Sequence, residues 1–440
     1  MLYKLFIVTG ILFLNIYSIE KKENFGKTEI TKWQYGKSGA ISLTYDDGSI
    51  NQFREALPIM NRLGFPATFF IVTGELKEAK YPAKFIGRPV EEIIGETKNI
   101  PTNQENFFER ASAVGFLGYK GTLQYHFQAG QLYEQGKIKE AYKVIDSAYA
   151  KVIAGAFNPG KDVSNEAAET AHSSWEDFRK YAAQGHEFGS HTISHPRLAV
   201  LDEENMLYEL EKSKEDILNH LGPEHTFSAE GPFGTENERV MEYALKLFPA
   251  LRNRMPHPFL EELNRSNKMS PGSFDKEYVQ WQRGPLTETP MSVMKSWVDT
   301  LLVHENIWLT LVFHGVSGIG WQAKPHEELA TYFQYIKDNE DKLWVGTFGD
   351  VTKYMRERMN AEVKVTEKEN QMIVSLTHSL DKTLYSLPLT LKTYILPNWK
   401  NITVKQNNNS QEVKILNDDK GKFILYQASP NKGSIVISGK

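Results

Sequence analysis

The sequence predicts an α/β protein: parallel strands and helices that close toward a barrel, a helical insertion within it, and a small all-β sandwich-like domain after it. Three observations carry this. From about residue 30 to 358, short apolar runs alternate with amphipathic helical ones, the rhythm of a parallel sheet covered by helices. Between about residues 75 and 170 the strand signals fade and helical ones persist. From about residue 360 to 440, short alternating runs are separated by turns rich in Asn, Gly and Pro.

At 440 residues the chain has room for two or three domains. Its 40% hydrophobic and 24% charged residues are ordinary for a folded protein. A net charge of −4 argues against nucleic acid or an anionic membrane surface as partner. With no cysteine there is neither a disulfide framework nor a lipid-bearing thiol. Met1-Leu2-Tyr3-Lys4 is a short basic start, and Leu5 to Tyr17 is apolar apart from Thr9 and Asn15. This run is short for a membrane span, so residues 1–18 read as a signal peptide, with an uncleaved anchor as the alternative. The protein is therefore expected to be secreted, periplasmic or at the cell surface.

The expected strands are Ala40–Thr44, Ala67–Val72, Glu187–Ser190, Trp308–Phe313 and Leu343–Thr347. Amphipathic helical runs lie between them. Glu203–Leu221 is expected as a helix, since Met206, Leu207, Leu210 and Ile217 recur at helical spacing. In the insertion, Gln104–Ala113 and Gly136–Ile153 carry the helical signal. It reads equally as a lid over the barrel mouth or as a peripheral decoration. The C-terminal strands are expected around residues 362–365, 372–376, 402–404, 423–426 and 434–437. These residues carry no catalytic constellation and read as packing that caps the barrel, with glycan binding as the alternative.

Two strings suggest a reaction. Thr44-Tyr45-Asp46-Asp47-Gly48 puts adjacent carboxylates at the end of an apolar run, and His191-Thr192-Ile193-Ser194-His195 puts two imidazoles at i and i+4. The imidazoles share a face if the stretch takes a helical turn. One carboxylate and two histidines make a three-point shell that leaves a zinc-like ion an open position for water. The second carboxylate is placed to accept that water's proton, as metal-assisted hydrolysis of an acyl group requires. Alone, an Asp-Asp-Gly string is more often a solvated turn, and a His-x-x-x-His more often two unrelated histidines. Their joint occurrence at expected strand ends outweighs those readings.

These strings resemble the motifs of the polysaccharide deacetylase family, carbohydrate esterase family 4, with its NodB-homology domain. Thr44–Gly48 matches the first motif and His191–His195 the second, while Leu311-Val312-Phe313-His314 matches the last. Trp344-Val345-Gly346-Thr347-Phe348-Gly349-Asp350, near the barrel's end, is also similar to the family. The resemblance implies a distorted (β/α)7-type barrel and a divalent metal, most often zinc, with cobalt, nickel or manganese also suited to the ligand set. It implies Asp47, His191 and His195 as metal ligands, Asp46 as general base and His314 as general acid. It assigns the backbone N–H of Tyr45 to the oxyanion. Pro232, Phe233, Trp281 and Arg283 are the candidate substrate-binding residues.

The chain departs from the family in two places. Where the third motif has an arginine that holds the base, Glu230-Gly231-Pro232-Phe233-Gly234 has a glutamate. A carboxylate there would oppose ionisation of Asp46 unless a cation intervenes, and Arg283 and Arg252 are the two candidates. The fourth motif is reduced to Tyr278-Val279-Gln280-Trp281, without the aspartate that tunes the acid histidine. The function expected is an exported, metal-dependent deacetylase of an acetylated polysaccharide, on nitrogen or oxygen. The alternatives are a carbohydrate-binding protein without turnover on the same barrel, and a hydrolase of a small cyclic amide.

Overall fold

The structure, a computed structural model, describes residues 24–234, 237–255, 259–368 and 371–439. The segment expected as a signal peptide, residues 1–18, lies outside the described residues. After the short strand β1 (Thr28–Ile30), the barrel strands follow in chain order. They are β2 (Gly39–Tyr45), β3 (Thr68–Ile71), β4 (Glu187–Ser190), β5 (Ser228–Ala229), β6 (Ala250–Leu251), β7 (Glu261–Leu263), β8 (Val279–Arg283), β9 (Ile307–Phe313) and β10 (Leu343–Val345). β2 through β10 form one nine-stranded sheet of order β6-β5-β4-β3-β2-β9-β8-β7, with β10 also paired to β2. All its ladders are parallel.

The sheet curls as a half-barrel, and among the described residues no ladder joins β6 to β7. β2 is central and every residue of it is buried, which is why it reads as a near-continuous apolar run. Its register with β9 runs from Ala40↔Trp308 to Tyr45↔Phe313. On the other edge, β10 pairs with Gly39–Ile41 and β3 with Thr44 and Tyr45, so two strands share one side of β2 at opposite ends. Because the strands are parallel, the residues after β2, β4, β5, β6, β7 and β9 all emerge at one mouth, where such folds place their chemistry.

The helix Glu203–Leu221 is the one expected. Asp202 caps it by accepting the Asn205 amide at 2.9 Å, and Met206, Leu210, Ser213 and Ile217 form its buried stripe. The insertion holds the helices Val90–Thr97, Phe107–Ala113, Leu123–Glu134, Ile138–Ile153 and Asn165–Thr170, packed around an apolar cluster of their own that includes Ile93, Phe107, Ile145 and Tyr149. Among the described residues no helix is long and apolar enough to cross a membrane.

The C-terminal strands are β11 (Glu362–Lys368), β12 (Gln371–Thr377), β13 (Leu389–Tyr394), β14 (Ile402–Gln406), β15 (Asn409–Glu412), β16 (Ile415–Asp418), β17 (Gly421–Ala428) and β18 (Ile435–Gly439). They form two antiparallel sheets, β11-β12-β18-β14-β15 and β1-β13-β17-β16. The second recruits β1 from the other end of the chain, Thr28↔Thr393 to Ile30↔Leu391. Trp33, Trp308, Trp344 and Phe348 share one apolar cluster with Met372, Leu389 and Tyr426, so these sheets pack directly on the barrel.

Candidate metal and acid–base site

The structure brings Asp46, Asp47, His191, His195 and His314 together in one open cleft of about 740 Å³ at the mouth of the barrel. The walls are completed by Glu166, Arg197, Glu230, Phe233, Arg265 and Trp321. His191 Nε2 and His195 Nε2 each lie 3.5 Å from Asp47 Oδ1. Three ligands about 2.0–2.1 Å from a tetrahedral ion stand about 3.3–3.4 Å apart, so the spacing suits an ion between them. Of the described residues, these three form the group of donor atoms compact enough to hold a metal.

The two histidines do not meet on a helical turn. Residues 191–195 form an irregular loop after β4, in which Thr192 and His195 take left-handed backbones with φ of 70° and 60°. Asp47 does the same at 74°. Non-glycine residues are held there only when surrounding contacts impose it. For the histidine loop, Glu209, buried in the helix Glu203–Leu221, supplies such contacts. Its carboxylate accepts from the amides of Ile193 and Ser194 at 2.8 and 2.9 Å, and from the Ser194 hydroxyl at 2.6 Å. Nothing in the sequence singles out this glutamate, since the buried face of the helix also carries Asn205, Ser213 and Asp216.

His191 Nδ1 hydrogen-bonds to the Glu230 carbonyl oxygen at 2.8 Å, leaving Nε2 to face the ligand position, as metal-binding histidines usually require. His195 Nδ1 faces Glu166 Oε2 at 3.5 Å. Glu166 belongs to the insertion, which therefore reaches the site rather than decorating the periphery. Ser164 Oγ also donates to the Ser194 carbonyl at 3.0 Å. His126 Nε2 accepts the Arg197 amide at 2.9 Å, just beyond the histidine loop.

Asp46 follows β2, and its amide donates to the Phe313 carbonyl at 2.9 Å. Its carboxylate is gripped by Arg252 in a two-point pair, Nη1 to Oδ1 and Nη2 to Oδ2, both 2.6 Å. Burial would raise the Asp46 carboxyl, but Arg252, helped by His314, outweighs it and holds the group well below the usual carboxylate range. Of the two candidates for the missing third-motif arginine, the structure selects Arg252. The guanidinium has moved from the end of β5, where Glu230 stands, to the end of β6. Arg252 also contacts Glu230 Oε1 at 3.0 Å and Thr44 Oγ1 at 2.8 Å, so the glutamate shares the cation that holds Asp46. Gln280 and Gln282 of β8 both donate to the Arg252 carbonyl, at 2.9 and 2.8 Å. Gln280, from the reduced fourth motif, and Gln282 just beyond it thus anchor the displaced arginine.

His314 follows β9, with Nε2 3.4 Å from Asp46 Oδ2. Gln52 Nε2 bridges the carbonyl of Asp46 and that of His314, the latter at 2.8 Å. Burial pushes His314 down to about 4 against the pull of Asp46 and Asp47. Trp321 meets its ring edge-on at 4.7 Å.

Tyr45 is buried, its ring stacked between Phe69 and Phe313 with centroids 5.3 and 5.1 Å away. Phe233 lines the cleft with a φ of 62°, whereas its neighbour Pro232 is buried and does not. Trp281 and Arg283, expected at the substrate, lie outside the cleft lining. The reason is local: the Arg283 guanidinium lies 4.6 Å over the Trp281 ring and donates to the carbonyls of Asn264 and Asn267. The exposed aromatic walls are instead Phe233 and Trp321, 42% and 50% exposed.

The sequence model of the polysaccharide deacetylase family matches residues 34–96 and 131–248. Over 280 residues, 59% of this chain, the sequence is 28% identical to a gellan lyase from a Bacillus species. The match takes in 11% of that protein, so the chain spans only a small part of its length. Among solved structures, the peptidoglycan deacetylase PdaC of Bacillus subtilis aligns with 75% of this chain and 96% of its own, at 12% identity and a TM-score of 0.34. A family 4 carbohydrate esterase from Bacillus anthracis aligns with 77% and 92%, at 15% identity and a TM-score of 0.31. The family whose sequence model matches these residues is the one that the motifs of the chain resemble.

Proposed function

We propose that the chain is a metal-dependent deacetylase that hydrolyses acetyl groups, N- or O-linked, from a polysaccharide. The observation that carries this is the convergence of Asp47, His191 and His195 with the Asp46–Arg252 pair and His314 in one cleft. Asp47, His191 and His195 would hold a divalent ion, zinc first among the candidates, which supplies an acidified water and polarises the acetyl carbonyl. Asp46 accepts the water's proton. Arg252 keeps it ionised and aimed, and also makes it a weak base, so the proton gains by moving on to His314 Nε2, 3.4 Å away. His314, neutral at rest, then delivers it to the departing nitrogen or oxygen. Tyr45, expected from the sequence to offer its backbone N–H to the acyl oxygen, lies fully buried inside β2 and outside the cleft lining, so that role is not assigned to it.

Phe233 and Trp321 form the proposed sugar-facing walls. Residues 360–440 are proposed as an accessory domain that braces the barrel, and residues 1–18 as the export signal that would bring the enzyme to a glycan outside the cytoplasm. Acetate release from a panel of N- and O-acetylated glycans tests the reading, with and without added zinc. Zinc-dependent release that disappears in His191→Ala and Asp46→Asn is expected. Undiminished release from Asp46→Asn would refute the assigned base.

A further inference from the structure

Four arginines lie in or beside the cleft, and three of them are engaged. Arg252 commits both terminal nitrogens to Asp46, Glu230 and Thr44. Arg197 pairs with Glu134 at 2.7 Å and stacks on Phe233 at 4.2 Å. Arg283 spends its guanidinium on loop carbonyls. The fourth, Arg265, is exposed, lines the cleft with His314 and Trp321, and among the described residues makes no hydrogen bond or ion pair.

Arg265 is nevertheless deliberately placed. It sits just after β7, on a loop held from beneath by β8. Arg283 donates to the carbonyl of Asn267 at 3.1 Å and that of Asn264 at 3.5 Å, while Gln282 Nε2 reaches Asn264 Oδ1 at 3.1 Å. Gly284 makes room for its stem, since a Cβ there would stand 3.2 Å from Arg265 Cδ and 2.7 Å from the Val312 carbonyl oxygen. A braced cation with its donors unspent, at the wall of a binding cleft, is a receptor for a ligand anion.

We propose that Arg265 reads a carboxylate on the substrate, so that the acetylated glycan is built of acidic sugars, the carboxylate lying on the sugar side of the cleft beside His314 and Trp321. This rests on the deacetylase reading for its substrate, but the binding itself can be measured without turnover. The planar guanidinium matches a carboxylate two-pronged, which a lysine at the same place would not. Arg283 is then a positioning residue, acting through the loop that carries Arg265.

The test compares an acetylated trigalacturonate with its methyl ester, which keeps the ring and the acetyl group and removes the charge. Binding of each to the zinc-loaded full chain is measured by calorimetry, and acetate release is followed in parallel. The free acid should bind about ten- to a hundredfold more tightly than the ester, and the preference should shrink as salt rises. Arg265→Gln should collapse the ratio of the two affinities, and Arg265→Lys should retain part of it. Equal binding of acid and ester by the unaltered chain, or an intact preference in Arg265→Gln, would overturn the proposal. If the Arg265-dependent preference is found but neither compound releases acetate, the anion site stands and the deacetylase reading falls.

Discussion

Replacing Arg252 by methionine is the most telling perturbation of the core of the site. The Arg252 and Asp46 side chains are 1% and 4% exposed, and Arg252 also neutralises Glu230. The substitution keeps the length and the apolar stem but strands two buried carboxylates. Removing one partner of a buried ion pair costs about 3–5 kcal/mol, and the second orphaned carboxylate places the expected loss at the upper end. The loss should depend on pH with a definite sign. In the unaltered chain the Asp46 carboxyl is depressed, so its pairing stabilises the fold above the unfolded value of about 3.9 and is lost only as pH falls through the lower folded value. In the variant, burial is no longer opposed, the carboxyl moves up, and protonation relieves the strain as the solution is acidified. Urea unfolding followed by tryptophan fluorescence and circular dichroism should therefore show a larger deficit at pH 7 than at pH 5. Turnover should fall by at least about a hundredfold, since the base loses its orientation. A deficit below about 1 kcal/mol, or one equal at both pH values, would refute this account of the pair.

Glu209→Gln should loosen the loop between His191 and His195 and weaken zinc binding by about ten- to a hundredfold in a chelator competition; an unchanged affinity would remove Glu209 from the site's support. His126 is pushed down to about 4 by burial and must be neutral to accept the Arg197 amide. Its unfolded form charges near about 6.5, so this contribution is full above that pH and is lost as pH falls toward 4. Stability measured from pH 7 to 4.5 should accordingly fall less steeply in His126→Phe than in the unaltered chain. Phe69 contacts the rings of Tyr45, Phe53 and Phe188 in the barrel core, and Phe69→Ala should cost about 3–5 kcal/mol in urea unfolding; a loss under about 1 kcal/mol would contradict its place there.

Much of this protein could be read directly. β2, β3 and β9 announce themselves because central parallel strands are buried on both faces and are therefore predominantly apolar. The Asp46-Asp47 and His191/His195 strings stand out because their residues are adjacent or nearly so. By contrast, β5 and β6 are two residues each, too short to show a period, and β7 begins with two glutamates. The recruitment of β1 by β13 joins opposite ends of the chain, and no local pattern encodes that.

By itself, the sequence determined the chemistry available: paired carboxylates, two spaced histidines and a third at a strand end, on an α/β frame. These features are local, and local patterns survive in one dimension. Only the tertiary structure decided which groups serve them. It chose Arg252 over Arg283 to hold Asp46, set Glu209 beneath the histidine loop, brought Glu166 of the insertion to His195, and left Arg265 without a partner among the described residues. Each of those choices depends on how the parallel strands curl to one mouth, and a charge finds its partner by distance in space rather than by separation along the chain.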